Sequence, residues 1–254
     1  MKKFIISGNK FSLGGIIGIL VIWQLLSMQF HPVILPSPLQ TLQTIINMFL
    51  SKGFYRTVLL SFARVTAGYL LSFIIGSFLG ILMGLEKEID LSFKPILSIM
   101  QSTPNISWIL LAIIWFGLNS KIVIFTIFIS VLPIFTINAR EGIKNVDKEF
   151  IEMADVYKLS LLVKFFKIYL PSIRPYILSA AVITIERAWK IGAMAELLSL
   201  DTGIGAGFYW ARNNLETEKI FAWTIILIVL AYFSVKILGY LFEKIKDRPL
   251  SRVN

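Results

Sequence analysis

The chain has 254 residues, of which 56% are hydrophobic and 16% charged, with a mean hydropathy of +0.77. A soluble domain is about 45–50% apolar and about 25% charged, so composition excludes a soluble enzyme, a disordered tail and a nucleic-acid module, in spite of a formal net charge of +10. The absence of Cys removes any disulfide framework, thiolate metal site or Cys nucleophile.

In chain order, Phe11–Phe30 is apolar and free of charge. Lys2, Lys3 and Lys10 precede it as in a signal peptide, but no small-residue cleavage site follows, and it reads as a first membrane helix. An outer loop, 31–56, comes next. Within it Pro38–Leu50 places Leu39, Leu42, Ile45, Ile46 and Phe49 at helical spacing, which suits an amphipathic helix at the outer interface or a short helix packed on the bundle. Further spans are expected at Thr57–Leu85, Pro95–Leu118, Ile122–Ala139, Ser172–Leu200 and Ile220–Phe242. The fold class is therefore an all-α membrane protein of about six spans, a single domain over 1–254.

Sixteen of the 25 Lys/Arg fall on one side of these spans, among them Lys2, Lys3, Lys144, Arg248 and Arg252, and five on the other. By the positive-inside rule both termini are cytoplasmic. The longest inner loop, 140–171, is also the most charged. Asp147, Lys148 and Glu149 open a helix there, expected over Asp147–Leu159, with acidic groups near the positive end of the helix dipole. Pro171 is expected to stop the helical run. A loop of this size is commonly functional, and docking of a soluble partner is the simplest reason for it.

Gly68, Ser72, Gly76, Gly80 and Gly84 recur every fourth residue on the second span, a small-residue stripe of the kind that lets helix backbones approach in lipid. Charged groups within spans cost about 2.5–3.5 kcal/mol each and are candidates for function. Arg64, near the outer end of the second span, would snorkel to the interface or line a path. Glu186 and Lys190 stand four apart in the order that favours an ion pair, flanked by Arg187 and Trp189; they form either that pair or a polar lining. Glu196 follows, then the Gly-rich stretch Asp201–Gly207, which reads as a flexible turn. His31 beside Pro32 reads as interfacial, and no metal site is expected. No GxxxxGK[ST], HExxH or GxSxG motif occurs.

Several patterns resemble the permeases of binding-protein-dependent ABC importers, and in particular the nitrate/sulfonate/taurine subgroup. Glu152-Met153-Ala154-Asp155-Val156-Tyr157-Lys158, followed by Ile168-Tyr169-Leu170-Pro171, is similar to the cytoplasmic EAA loop. Ser61, Arg64 and the glycine stripe look like that family's second helix. Pro104–Trp108, Trp115–Gly117, Asn138, Gly142 and Asp147, Ala188-Trp189, Ala195-Glu196-Leu197 and Gly203-Ile204-Gly205 extend the likeness over nearly the whole chain. Lys158 stands where the loop usually has glycine and Met153 where it has alanine, so the turn is expected to differ.

The resemblance implies a type I ABC importer permease in the cell membrane. It would work as two copies, usually identical in this subgroup, with two ATPase subunits that hold ATP and Mg on their own chains and an extracellular solute-binding protein. Asp147, Glu149, Glu152, Ala154, Asp155, Lys158, Leu170 and Pro171 would form the ATPase-coupling loop. Arg64, Glu186, Arg187, Trp189, Lys190 and Glu196 are candidates for the translocation path. The solute would be a small organic or inorganic anion; a thiamine precursor, riboflavin or other small molecule is the alternative within the same architecture. A stand-alone secondary transporter or channel would show inverted repeats with paired broken helices, and no such symmetry is visible in the chain. A membrane enzyme would need convergent His, Asp or Glu at membrane depth, which the chain lacks.

Overall fold

A computed structural model describes residues 10–246 of the chain, with side chains described for 14–244. Lys2, Lys3, Asp247, Arg248 and Arg252 lie outside the described residues, as do the side chains of Lys10, Phe11 and Lys246. Among the described residues all regular structure is helical. The end bearing Lys144–Lys167 is termed inner, following the charge bias.

Helix α1 (Lys10–Ser27) is joined to α2 (Pro38–Leu50) by a turn on which Trp23 Nε1 donates to the Pro36 carbonyl at 3.0 Å. Helix α2 starts where its sequence dictates. Ser37 accepts from the Gln40 amide, Gln40 Oε1 accepts from the Ser37 amide, and Pro38 fills the first turn. It seats Thr41 in the protein and leaves Leu39, Leu42, Ile46 and Phe49 exposed.

Helix α3 (Phe54–Leu85) packs along α6 (Lys121–Lys144) through the small-residue stripe. A Cβ on Gly68 would lie 2.8 Å from the Ile124 carbonyl, and one on Gly76 2.8 Å from the Leu132 carbonyl; at Gly80 it would collide with the Thr136 carbonyl and at Gly84 with Ile143. Ser72 donates to the Gly68 carbonyl on its own helix and reaches the Phe128 carbonyl of α6 at 3.3 Å. Helix α6 is the axis of the bundle: Ile122, Val123, Ile127, Val131 and Phe135 are fully buried against Val65 and Tyr69 of α3 and Ala188, Trp189 and Ala195 of the long helix α9 (Leu170–Ser199).

The expected span Pro95–Leu118 is not one helix. Helix α4 (Lys87–Ser102) and α5 (Asn105–Phe116) meet at 98° across Thr103 and Pro104. Pro104 has no N–H to continue the α4 ladder, and the residue before a proline is pushed out of the helical region: Thr103 has ψ 126°. Among the described residues four helices are long and apolar enough to cross a membrane unaided, and the bent pair would make a fifth. In α1 the described apolar segment is Gly14–Ser27.

Pro171 does not stop the helical run. Helix α7 (Lys148–Val156) and α8 (Leu161–Lys164) lead into a π turn, Phe165–Tyr169, and the chain stays helical through Pro171 and Pro175. The π turn restarts the ladder, the Leu170 amide donating to the Phe165 carbonyl, so Pro171 falls in a first turn, where a missing N–H costs little. A helix absent from the sequence reading, α10 (Ile204–Asn213), precedes α11 (Thr217–Lys246). The stretch 201–207 is thus no flexible turn: Gly203, with φ +106°, Ile204, Gly205 and Ala206 are buried.

Candidate functional site: a buried ion pair, a capped inner helix and an open charged face

Arg64 neither snorkels nor stands free. It is 7% exposed, and its Nη1 reaches Glu196 Oε1 at 2.7 Å; Glu196 is 1% exposed. Arg64 also donates to Ser120 Oγ at the start of α6 (3.0 Å), to the Thr202 carbonyl (2.8 Å) and to Thr202 Oγ1 (2.8 Å). Glu196 Oε2 accepts from Ser61 Oγ (2.7 Å) and the Gly205 amide (3.0 Å), and Ser61 Oγ accepts from the Ile204 amide at 2.8 Å. Helices α3, α6, α9 and α10 are thereby pinned together at the outer end. Gly203 is needed there, because a Cβ would run into the Glu196 carboxylate. A buried charge pair is tolerated when its remaining donors and acceptors are met, and this network meets them.

Trp189 is buried too, its Nε1 donating to Ser234 Oγ of α11 at 2.9 Å. Glu186, Arg187 and Lys190 lie on the opposite, exposed face of α9, with Ile183, Met194 and Leu198. Among the described residues no ion pair joins Glu186 to Lys190, so the pairing alternative fails within this chain. The six expected path residues thus divide: Arg64, Trp189 and Glu196 are enclosed, while Glu186, Arg187 and Lys190 are open.

At the inner end, α7 is capped by Asp147, whose carboxylate accepts from the Glu149 amide at 3.0 Å. The helix is shorter than expected, ending at Val156. Ala154 is fully buried and fastens α7 to the protein, and Asp155 pairs with Lys164 of α8. Glu149, Glu152, Phe150, Met153, Val156 and Tyr157 are exposed. Lys158 keeps the glycine-like turn: its φ is +51°, the left-handed region that costs a side-chain-bearing residue strain. Leu170 and Pro171 stand at the junction with α9, beyond the π turn.

Sequence reasoning missed a second ionic cluster. Arg140 and Lys144 of α6 both pair with Asp90 of α4, Arg140 Nη2 lying 2.7 Å from Asp90 Oδ2, and Glu141 pairs with Arg140. The available signal was an acid in the first turn of an apolar stretch, 50 residues from its partner. No group of three or more His, Asp or Glu converges as a metal site among the described residues.

Comparison with known proteins assigns the chain to a family. Residues 72–252 match the family described as "Binding-protein-dependent transport system inner membrane component". The bicarbonate transport system permease protein CmpB of Synechocystis sp. is 33% identical over 247 residues, covering 91% of this chain and 83% of that protein. The nitrate import permease protein NrtB of Leptolyngbya laminosa is 30% identical over 202 residues, covering 80% of this chain and 70% of that protein. The fold matches a chain from the crystal structure of a bacterial ABC transporter involved in the import of the acidic polysaccharide alginate, with TM-score 0.68 and 16% identity, over 92% of this chain and 96% of that one. The multi-pass helical bundle agrees with matches along nearly the whole length, and the chain belongs to the family of binding-protein-dependent transport system inner membrane components.

Proposed function

We propose that the chain forms the solute path of an ATP-driven importer for a small anion, in the cytoplasmic membrane with both termini inside. Two copies would enclose the path, an extracellular solute-binding protein would deliver the solute, and ATP and Mg would be held by two separate ATPase subunits. The observation that supports this reading best is α7. It is a capped helix held by one buried alanine, on the inner side, with Phe150, Met153, Val156 and Tyr157 turned out beside Glu149 and Glu152. Three exposed apolar groups on so short a helix, with Tyr157 at its end, suit a partner's groove better than water. The anion rests on the relatives named for bicarbonate and nitrate.

Mechanically, ATP-driven closure of the ATPase pair would carry the α7 helices with it, and the π turn would pass the movement into α9. Affinity purification of the tagged chain should recover an ATPase in stable complex. Glu152→Lys and Met153→Asp should each cut that recovery and ATP-dependent uptake while the permease still accumulates in the membrane. Uptake by the chain alone, without an ATPase or ATP, would make it a stand-alone transporter instead.

A further inference from the structure

The elbow between α4 and α5 leaves backbone polar groups unpaired inside a broken span. Helix α4 climbs along α6 from the Asp90 ion pairs with Arg140 and Lys144 to the level where Leu97 is buried with Leu132, and Met100 and Phe128 pack on them. Helix α5 then leaves at 98° and ends with Trp115 and Phe116 against Phe125. Thr103 and Pro104 therefore fall inside the broken span that α4 and α5 would make together, past the level at which Leu97 and Met100 pack with Leu132 and Phe128 of α6.

The polar accounting at this point does not close within the chain. Thr103 donates both its amide and its hydroxyl to the Ile99 carbonyl. Pro104 has no N–H for the Met100 carbonyl. No side chain caps α5, and the amides of Asn105 and Ile106 have no acceptor among the described residues. One turn on, Trp108 Nε1 is buried without a partner. Gln101, Ser102 and Asn105 are exposed around the break, and Ser98, Ser102 and Thr103 help to line an open cleft of 550 Å³.

Hydrocarbon offers nothing to such groups. Irregular backbone at membrane depth persists only where protein covers it or water reaches it. The exposed face of α11 carries Ile228, Val229, Phe233 and Ile237, with Lys236 over the Tyr232 ring, a mostly apolar surface of the kind lipid accepts.

We propose that the α4–α5 elbow lines the water-filled solute path, and that Ser102, Thr103 and Asn105 offer hydrogen bonds to a small polar solute as it sheds part of its hydration. This assignment rests on the importer reading above and adds to it a set of path-lining residues on a second element besides α9.

The absence of Cys makes a direct test possible. Ser102→Cys and Asn105→Cys each give one thiol, with Ile237→Cys on the lipid-facing side of α11 and Asp201→Cys at the exposed outer turn as controls. The tagged chain with whatever subunits co-purify is placed in liposomes and treated on both faces with 2-sulfonatoethyl methanethiosulfonate, a charged reagent that reacts only where water reaches. Both elbow thiols should react, as Asp201→Cys does and Ile237→Cys does not, and their reaction rates should change when non-hydrolysable ATP is added. Elbow thiols as inert as Ile237→Cys, beside a reactive Asp201→Cys, would overturn the proposal, because the elbow would then be buried in dry protein or lipid. Reactive elbow thiols in a preparation that contains no ATPase would uphold a water-filled path and overturn the importer reading alone.

Discussion

Glu196 illustrates how one residue can be costly and still stabilise. Its carboxylate, 1% exposed, accepts from Ser61, the Gly205 amide and Arg64, and it is the one ion-pair partner of Arg64 among the described residues. Replacing it with Ala leaves a guanidinium enclosed without a counter-charge, which costs about 3–5 kcal/mol. Glu196→Ala should therefore lower the thermal unfolding midpoint of the purified complex and its membrane yield sharply. The double variant Arg64→Met with Glu196→Met removes both charges and should recover much of that loss, since the burial penalty disappears with the pair. A double variant no more stable than the single would show that the hydrogen bonds to Ser61, Ser120 and Thr202 matter more than the charges. Lys158 shows the converse, a residue tolerated against its own preference. Its left-handed backbone keeps the turn after α7 although the side chain would favour another conformation.

At the scale of elements, α3 and α6 are held by contact between backbones. Gly80 faces the Thr136 carbonyl and Ala139 so closely that any side chain must part the helices, whereas Gly239 of α11 has nothing within 4 Å. Gly80→Leu should abolish accumulation of folded protein, and Gly239→Ala should leave yield and unfolding temperature unchanged; equal tolerance at both sites would refute the packing described for the stripe. This part of the fold was legible because a four-residue period of small residues is local information. So was α2, whose Ser37-Pro38-Leu39-Gln40 spells out its own cap. The bend at Pro104 was obscured because Pro95–Leu118 has the length of one span and no charge, and α10 by the glycines that open it. Pro171 misled because a π turn, invisible in composition, removes the penalty for a proline there. The Arg64–Glu196 pair joins residues 132 apart, and no periodicity reports such a contact.

For the whole molecule, the decisive quantity is where uncompensated charge meets the membrane. The enclosed pair Arg64–Glu196 is neutral, and the inner cluster on Asp90 lies near the end of α6. Glu186, Arg187 and Lys190 differ: they are exposed on the middle of a 30-residue helix, with no ion pair among the described residues. At about 2.5–3.5 kcal/mol for each such group at the bilayer centre, lipid contact would destabilise the chain by more than many domains can tolerate. That face of α9 must meet water or another protein surface, as two copies around an aqueous path would provide. In the proposed two-copy assembly each copy would bring two cations and one acid to the path, a net positive lining. Arg187→Gln and Lys190→Gln should lower the maximal rate of anion uptake by the assembled transporter, measured with nitrate or bicarbonate, whichever the partner binding protein retains. Glu186→Gln, which makes the lining more positive, should not lower it. The apparent KM should change little in all three if the binding protein selects the solute. Were the three groups lipid-facing, each neutral variant would instead raise yield and leave the uptake rate alone, because removing a charge from hydrocarbon stabilises the helix without touching any path.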